Sequence, residues 1–528
     1  MFIRVDIMVR KNLQRIDTNG FQLYLTEGGI VFVTDDVRMS ILEELAEADK
    51  TLAELSRILN VPLSTLFSNL NKMVSQSLIA SCPCSDDKRK IMYSLVSMKL
   101  IESIDPDSNV KESPFDLLNK AVSDPGWFYR SIMMFINFSS FKIGLNIGPL
   151  MERAGRILAN VMKDDLRSDK VEELIPKLKA YFVKANLPDI TVFTFVPLTI
   201  ILQLDFGTTS KPDNLYSMTR GFIVQALSNH TGLCYKTLNA EIFGSDNSKF
   251  KFILEPETMV GERRSKIIGR AEAIVVKDNG PMEYFEIYAT ERGTVYNSNA
   301  TQLSILDKLK TSSYTLSELS RDLDISQSTV FSNLNKMVDD GLIAVSDNQA
   351  DNRKVLYKLT CTKILSQKAI VKDAEQRSYA AIERAAKNPD SFFRCLFDFL
   401  LYESDVIGLE LSDIAHFVGS EFARKIKEAN SGCKIEEIMD RICKNSDMIG
   451  AESVSVMTYI PMTIMISCYL DNEESVSKIV SGFYQGFFSK LILLMTDIPY
   501  VVKSSEEIRE DKIVHKYVFE ASSIRAVN

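Results

Sequence analysis

The chain has 528 residues, of which 45% are hydrophobic and 25% charged, a composition that excludes disorder as the main state. At the usual domain size of about 100–200 residues, this length predicts three or four domains. Lysine and arginine total 62 against 70 aspartate and glutamate residues, and the net charge of −8 argues against a general attraction to nucleic acid or anionic lipid.

A long internal repeat organises the sequence. Residues 40–80 and 304–344 align without a gap at an offset of 264, half the chain length, with 24 identities in 41 positions. Near the C-terminus Gly221-Phe222 corresponds to Gly482-Phe483, an offset of 261, which indicates a short deletion in the second copy. We therefore interpret the chain as a tandem duplication of one multi-domain unit.

Each copy has three predicted parts. The first is a β segment, residues 1–36 and 265–300, in which Gly28-Gly29 separates two alternating apolar runs as in a hairpin. The second is a helical module, residues 37–97 and 301–361. The third is a larger mixed domain, residues 115–264 and 378–528, preceded in the first copy by a polar linker near 104–113. Its helices, followed by antiparallel strands, predict an α+β fold class.

Within the helical module, apolar spacing predicts a short helix, a turn near residues 60–62 and a second helix over about 63–76. The predicted buried face of the second helix carries Phe67, Leu70, Met73 and Val74. Pro62 and Ser326 are expected at the N-caps of this helix in the two copies. The opposite face presents small hydrogen-bonding side chains and one cation, suited to a major groove: Thr65, Ser68, Asn69 and Lys72, and Thr329, Ser332, Asn333 and Lys336.

Two strands with a polar tip between them follow this helix. The order TLAELSRIL, a turn, STLFSNLNKM, then LIA and a D-x-R-K tip resembles the winged helix-turn-helix of MarR- and ArsR-type regulators over about 60 residues in each half. The resemblance implies that the second helix enters the major groove of double-stranded DNA while basic residues of the tip reach phosphate or the minor groove. Those residues are Arg89, Lys90, Arg353 and Lys354.

Regulators of this type usually act as homodimers on pseudo-palindromic sites. Two heads on one chain therefore predict an intramolecular pseudo-dimer, with further homodimerisation left open. The heads differ in charge: residues 60–95 carry +2 and residues 324–359 carry −1, and Asp339 and Asp340 end the second reading helix. We expect the first head to bind DNA better.

The mixed domain resembles the 4-vinyl reductase domain family in its glycine-containing helix (Gly155, Gly419), its late Gly-Phe helix and its aromatic last strand. The resemblance implies a sensor of small hydrophobic ligands, as in archaeal regulators that join this domain to a winged helix. The cysteines that many members carry are absent, so we expect no metal and no other cofactor. Candidate ligand-binding residues, with plain core packing as the alternative, are Trp127, Phe128, Phe392 and Phe393.

Other features favour a regulator over an enzyme. There are three histidines and no P-loop or nucleophile–base pattern, and Cys82 and Cys84 in one wing are either a redox or metal sensor or ordinary loop residues. The N-terminus lacks a signal peptide and no run approaches the roughly 20 apolar residues of a membrane span, so a cytoplasmic protein is expected. The sequence predicts an archaeal-type, ligand-controlled transcriptional regulator; a scaffold protein and an enzyme acting on a hydrophobic molecule are the alternatives.

Overall fold

The computed structural model describes residues 20–84, 89–104, 121, 124–168, 170–203, 213–243, 249–256, 284–310, 312–347, 355–368, 374–468, 474–509 and 513–521. Helical residues make up 52% of the structure and strand residues 29%, and the paired strands are antiparallel in all six sheets of the described residues. This confirms the predicted α+β class.

The first half contains the elements β1 (Gln22–Thr26), β2 (Gly29–Val33), α1 (Asp36–Glu47), β3 (Lys50–Thr51), α2 (Leu52–Leu59), α3 (Leu63–Ser75), β4 (Ile79–Pro83), β5 (Ile91–Leu95), β6 (Met98–Ser103), α4 (Phe128–Lys142), β7 (Leu145–Asn146), α5 (Gly148–Val161), α6 (Val171–Lys184), β8 (Asp189–Phe195), β9 (Leu198–Gln203), α7 (Asp213–Thr231), β10 (Tyr235–Phe243) and β11 (Lys249–Pro256).

The second half contains β12 (Glu286–Thr290), β13 (Gly293–Asn297), α8 (Ala300–Leu309), α9 (Leu316–Leu323), α10 (Gln327–Asp339), β14 (Ile343–Asp347), β15 (Val355–Leu359), β16 (Thr362–Gln367), α11 (Ala374–Lys387), α12 (Phe392–Ile407), β17 (Leu409–Glu410), α13 (Ser412–Ala429), α14 (Ile435–Lys444), β18 (Ser453–Tyr459), β19 (Met462–Ser467), α15 (Glu474–Thr496), β20 (Tyr500–Arg509) and β21 (Ile513–Ala521).

The predicted hairpin forms, but it belongs to a larger sheet. Strands β1 and β2 pair with Thr26 opposite Gly29, and Gly29 has a φ of 105°, a conformation that glycine adopts without strain. The strand after the wing, β6, and the short β7 extend the hairpin to a sheet of order β2-β1-β6-β7, and the second half repeats this order as β13-β12-β16-β17.

The two four-stranded sheets pack against each other. Phe21, Leu23 and Leu25 from one share a buried cluster with Phe285 and Ile287 from the other. The Phe32 ring lies 4.2 Å from that of Phe285, centroid to centroid, and 4.5 Å from that of Tyr296. We call this joint between the halves the central sheet pair.

Each helical module folds around its own core. In the first, α1, α2 and α3 enclose a cluster with the sheet β3-β5-β4, and the second module has the equivalent cluster. The short strand β3, which sequence reasoning missed, completes the order helix, strand, two helices and a β hairpin. Thr51 and Glu54 form a capping box at the start of α2, and Thr315 and Glu318 repeat it on α9.

Glycines allow close helix packing in both mixed parts. A Cβ atom at Gly155 of α5 would lie 2.0 Å from the carbonyl oxygen of Met218 on α7, and one at Gly419 of α13 would lie 2.1 Å from that of Phe483 on α15. The repeat of these glycines therefore has a packing cause: the two backbones touch where a side chain would stand.

We expect Gly419→Ala to lower the free energy of unfolding by about 1–3 kcal/mol, because the new methyl group forces two packed helices apart. Urea unfolding of the full chain measures the effect. The control is Ser489→Ala, at a half-buried position on α15 that is not among the atoms nearest to Gly419. Equal stability of Gly419→Ala and Ser489→Ala would contradict the packing argument.

The mixed parts of the two halves share one core. The Phe128 ring of α4 lies 5.6 Å from that of Phe422 and 5.9 Å from that of Phe483. A buried ion pair joins Arg153 to Glu403, with Nε 2.8 Å from Oε1. The two halves are therefore packed together along both the central sheet pair and the helices.

Helix α15 corrects one expectation from the sequence. Its segment Ser477–Thr496 has a mean hydropathy of 1.3 and is the one helix, within the described ranges, long and apolar enough to cross a membrane. Polar residues such as Ser481, Gln485 and Lys490 interrupt its apolar run, so a search for continuous apolar residues passed over it, although the average over the whole segment stays high. Phe487 and Leu491 are fully buried in the shared core, as expected for a core helix.

Candidate nucleic-acid interface and internal cavity

The structure gathers the predicted base-reading side chains on one face of α3 and of α10, which we call the reading helices. Thr65, Ser68 and Lys72 are exposed and Asn69 is half-buried. The second copy is the same, with Thr329, Ser332 and Lys336 exposed and Asn333 half-buried. Both helices therefore present hydroxyl, amide and ammonium groups to solvent at equivalent positions.

The predicted buried face of the reading helix is partly wrong. The core side chains of α3 are Leu66, Leu70 and Met73, at spacing i, i+4, i+7, and Phe67 is 49% exposed. Its equivalent Phe331 is 48% exposed. Leu66 lies at the centre of this buried face, and Phe67 is rotated about 100° from it around the helix, which places its ring at the solvent-exposed edge. An exposed phenylalanine beside the polar face is suited to contact a thymine methyl group.

Hydrogen bonds order the polar face. The amide nitrogen of Asn69 donates to the carbonyl oxygen of Thr65 over 3.1 Å, and Asn333 donates to that of Thr329 over 2.9 Å. Ser326 caps α10 as predicted, its hydroxyl accepting from the backbone N–H of Thr329 at 3.2 Å, and Pro62 takes the N-cap of α3. The same side chain to backbone hydrogen bond therefore holds the asparagine of the reading helix in both copies.

The wing forms as predicted from β4 and β5, with β14 and β15 as its second copy. Arg89 and Lys90 are exposed just before β5. Arg353 and Lys354 lie outside the described residues. Cys82 and Cys84 are half-buried free thiols, and within the described ranges no cluster of three or more His, Cys, Asp or Glu residues is arranged to hold a metal.

The four candidate ligand-binding aromatics do not form one pocket. Phe128 lines an internal cavity, whereas Trp127 and Phe393 contact Arg130. The guanidinium carbon of Arg130 is 4.3 Å from the ring centroid of Trp127 and 5.3 Å from that of Phe393. Burial lowers the pKa of Arg130 to about 10. Phe392 is buried against Tyr181, 6.5 Å between ring centroids. Only Phe128 is placed to contact a molecule in the cavity.

The internal cavity has a volume of about 140 Å³ and lies between the two halves. Its walls come from α4 and α12, from both sheets of the central sheet pair, and from α13 and α15. Sequence reasoning missed most of these residues, because their apolar side chains and spacing are those of ordinary core positions. A comparison of the two copies position by position reveals where their side chains differ in size.

Residues 299–345 match the profile of the bacterial regulatory protein arsR family. The matched segment covers α8, α9, α10 and the start of the second wing. Neither a curated protein nor a solved structure matches the chain. The match supports a DNA-binding winged helix-turn-helix regulator, and it points to a DNA-binding rather than an enzymatic role. It falls on the second head, whose charge is the less favourable.

Proposed function

We propose that the chain is a transcriptional regulator with two DNA-binding heads, and that a small apolar ligand bound between its mixed domains controls it. The arsR-family match at residues 299–345 carries the DNA-binding part. The first head extends the argument, because α3 presents the same exposed threonine, serine, asparagine and lysine as α10.

The proposal includes a tandem duplication and a pseudo-dimer. Both halves have the same sheet orders, β2-β1-β6-β7 and β13-β12-β16-β17, then β10-β11-β9-β8 and β20-β21-β19-β18. The halves are packed together, so one chain presents two reading helices from equivalent positions. We expect one chain to occupy one pair of half-sites; two chains on a single operator would contradict the pseudo-dimer.

Ligand control needs a physical connection between the cavity and the DNA-binding heads. Strand β1 can provide it in the first half, because two neighbouring residues on it contact the cavity wall and the core of the head. Ile101 on β6 lines the cavity and pairs with Leu23 on β1. The next residue, Tyr24, points to the opposite face and is buried in the core of the first head. In the second half Leu365, Ile287 and Tyr288 repeat this arrangement. Each head therefore rests on a sheet whose other face reaches the cavity.

The mixed domains are proposed to be 4-vinyl reductase-like sensors. Their helices close on each other through Gly155 and Gly419, and an apolar cavity adjoins them. A scaffold role remains the second candidate, favoured by the exposed rings of Phe67 and Phe331, which would equally suit a protein partner.

Lysine substitution on the reading helices tests the DNA-binding proposal. We expect Lys72→Ala and Lys336→Ala each to weaken binding to a duplex selected from a random-sequence pool, and each to reduce the slope of log affinity against log salt by about 1. Fluorescence anisotropy over a salt series measures both. Lys444→Ala, at a 74% exposed position on α14, is the matched control.

The outcomes separate the two heads. An effect of Lys336→Ala alone would show that only the second head binds DNA, and an effect of Lys72→Ala alone would show the reverse. If both variants bind like Lys444→Ala, the reading helices are not the DNA-binding surface. Binding of a protein that Phe67→Ser and Phe331→Ser abolish would then favour the scaffold role.

A further inference from the structure

The internal cavity crosses the boundary between the two copies. Several lining residues occur as equivalent pairs, 264 positions apart: Ile101 with Leu365, Leu145 with Leu409, and Ser140 with Ser404. Both copies therefore build the centre of the cavity, so neither mixed domain alone would contain it.

Beyond this centre the cavity is asymmetric: Phe128, Tyr129 and Ile132 line it from the first copy, although their equivalents Phe392, Phe393 and Leu396 do not, and the remaining walls come from the second copy. Ala415, Gly450 and Val480 line it there, whereas their first-copy equivalents Met151, Asn186 and Thr219 do not. In the first copy Met133, Met134 and Met151 surround a space of only about 20 Å³. The side chains at this position differ in length: Met151 lines the smaller space in the first copy, and the much shorter Ala415 lines the larger cavity in the second.

Gly450 shapes the wall further. It has a φ of +69°, and a Cβ atom there would lie 2.3 Å from the Phe128 ring, which reaches across from the first copy. The carbonyl oxygen of Gly450 also accepts from the Tyr129 hydroxyl, 3.5 Å away. Glycine at this position lets an aromatic side chain of one half close the cavity of the other.

The lining offers no charge. No Asp, Glu, Lys, Arg or His is among the described residues that line the cavity, and its hydroxyl groups bond within the protein. Ser140 donates to the carbonyl of Asn137 at 2.7 Å and Ser404 to that of Leu401 at 2.6 Å. Burial raises the pKa of the Cys468 thiol to about 12. A charged ligand would lose its hydration here without replacement.

Volume and wall chemistry set the size of a ligand. A dry apolar cavity of about 150 Å³ accommodates benzene, and this one measures about 140 Å³. Aromatic walls such as Phe128 and Phe483, whose rings meet edge to face with centroids 5.9 Å apart, favour a single aromatic ring.

We propose that this cavity is a single, asymmetric binding site, formed by both copies and extended into the second, for one uncharged molecule the size of one aromatic ring. The regulatory role of this site rests on the proposed ligand control. Binding of the molecule is independent of that proposal and can be measured without DNA.

The test uses the full chain and benzene as the probe. We expect saturable binding of one benzene per chain and a rise in the midpoint of thermal unfolding, with no such rise for benzoate, which has the same ring and a charge. Ala415→Met places in the cavity the side chain that the first copy carries, and we expect it to abolish the benzene-dependent shift. Val480→Thr replaces one methyl group with a hydroxyl group of similar size and should weaken the shift without changing the fold.

Each outcome decides something separate. No saturable shift in the wild-type chain, or an undiminished shift in both variants, would overturn the site, and a benzoate shift as large as that of benzene would overturn its uncharged character. Benzene binding that leaves DNA affinity unchanged would uphold the site and overturn ligand control. DNA binding by a chain that does not bind benzene would overturn the site and uphold the DNA-binding function.

Discussion

We expect Glu403→Gln to lower the free energy of unfolding by about 3–5 kcal/mol, the largest loss from any single polar substitution in this chain. Arg153 and Glu403 are only 3% and 1% exposed and come from different halves, and Ser378 donates a further hydrogen bond of 2.6 Å to the same carboxylate. Removing the negative charge leaves a buried guanidinium beside a neutral amide. Urea unfolding of the full chain, followed by circular dichroism, measures the change.

Two controls define the cause. Asp440→Asn disrupts an exposed pair with Lys444 and is expected to cost at most about 1 kcal/mol. The double variant Arg153→Met with Glu403→Leu removes both charges and should recover most of the lost stability, because a buried pair replaced by apolar side chains is often neutral. A Glu403→Gln variant as stable as Asp440→Asn would show that this ion pair does not hold the halves together.

The sequence was sufficient for the local structure of the heads. The hairpin at Gly28-Gly29, the caps at Pro62 and Ser326 and the strands of the wing all follow from nearby residues, and all appear. The error at Phe67 also has a local cause. A spacing of i, i+3, i+6 assumes three residues per turn, whereas the α-helix has 3.6, and with the correct period Leu66 rather than Phe67 faces the core. A stricter period would have avoided it.

What joins the halves could not be predicted in the same way. The central sheet pair forms only because β6 and β7, about 75 and 120 residues downstream, add to the hairpin. Leu23 on β1 is paired with Ile101 on β6, and Glu102 on β6 is paired with Asn146 on β7. Arg153 and Glu403 are 250 positions apart, and their equivalents in the other copy are Phe417 and Ser139, so the repeat itself carries no trace of the pair. Contacts between residues so far apart in the sequence leave no periodic pattern from which they could be predicted.

Met151→Ala should create a second binding site and is the sharpest test of the asymmetry between the copies. Truncating this buried side chain costs about 2–5 kcal/mol, and it enlarges the present space of about 20 Å³ at the position where the second copy already has an alanine. We expect the variant to bind two benzene molecules per chain and to regain part of its lost stability when benzene is saturating. Isothermal titration calorimetry gives the number of sites.

Exchanging the residues at positions 151 and 415 distinguishes the effect of cavity volume from the effect of the polar lining on benzene binding. Met151→Ala combined with Ala415→Met moves the methionine to the other copy, so one benzene should bind, now on the first-copy side. Asn137 lines that side where the second copy has Leu401, and its buried amide should weaken binding; adding Asn137→Leu should strengthen it. A combined variant that binds no benzene, with or without Asn137→Leu, would mean that the methionine is not what closes the first-copy side, and the asymmetry would then need another cause in the fold.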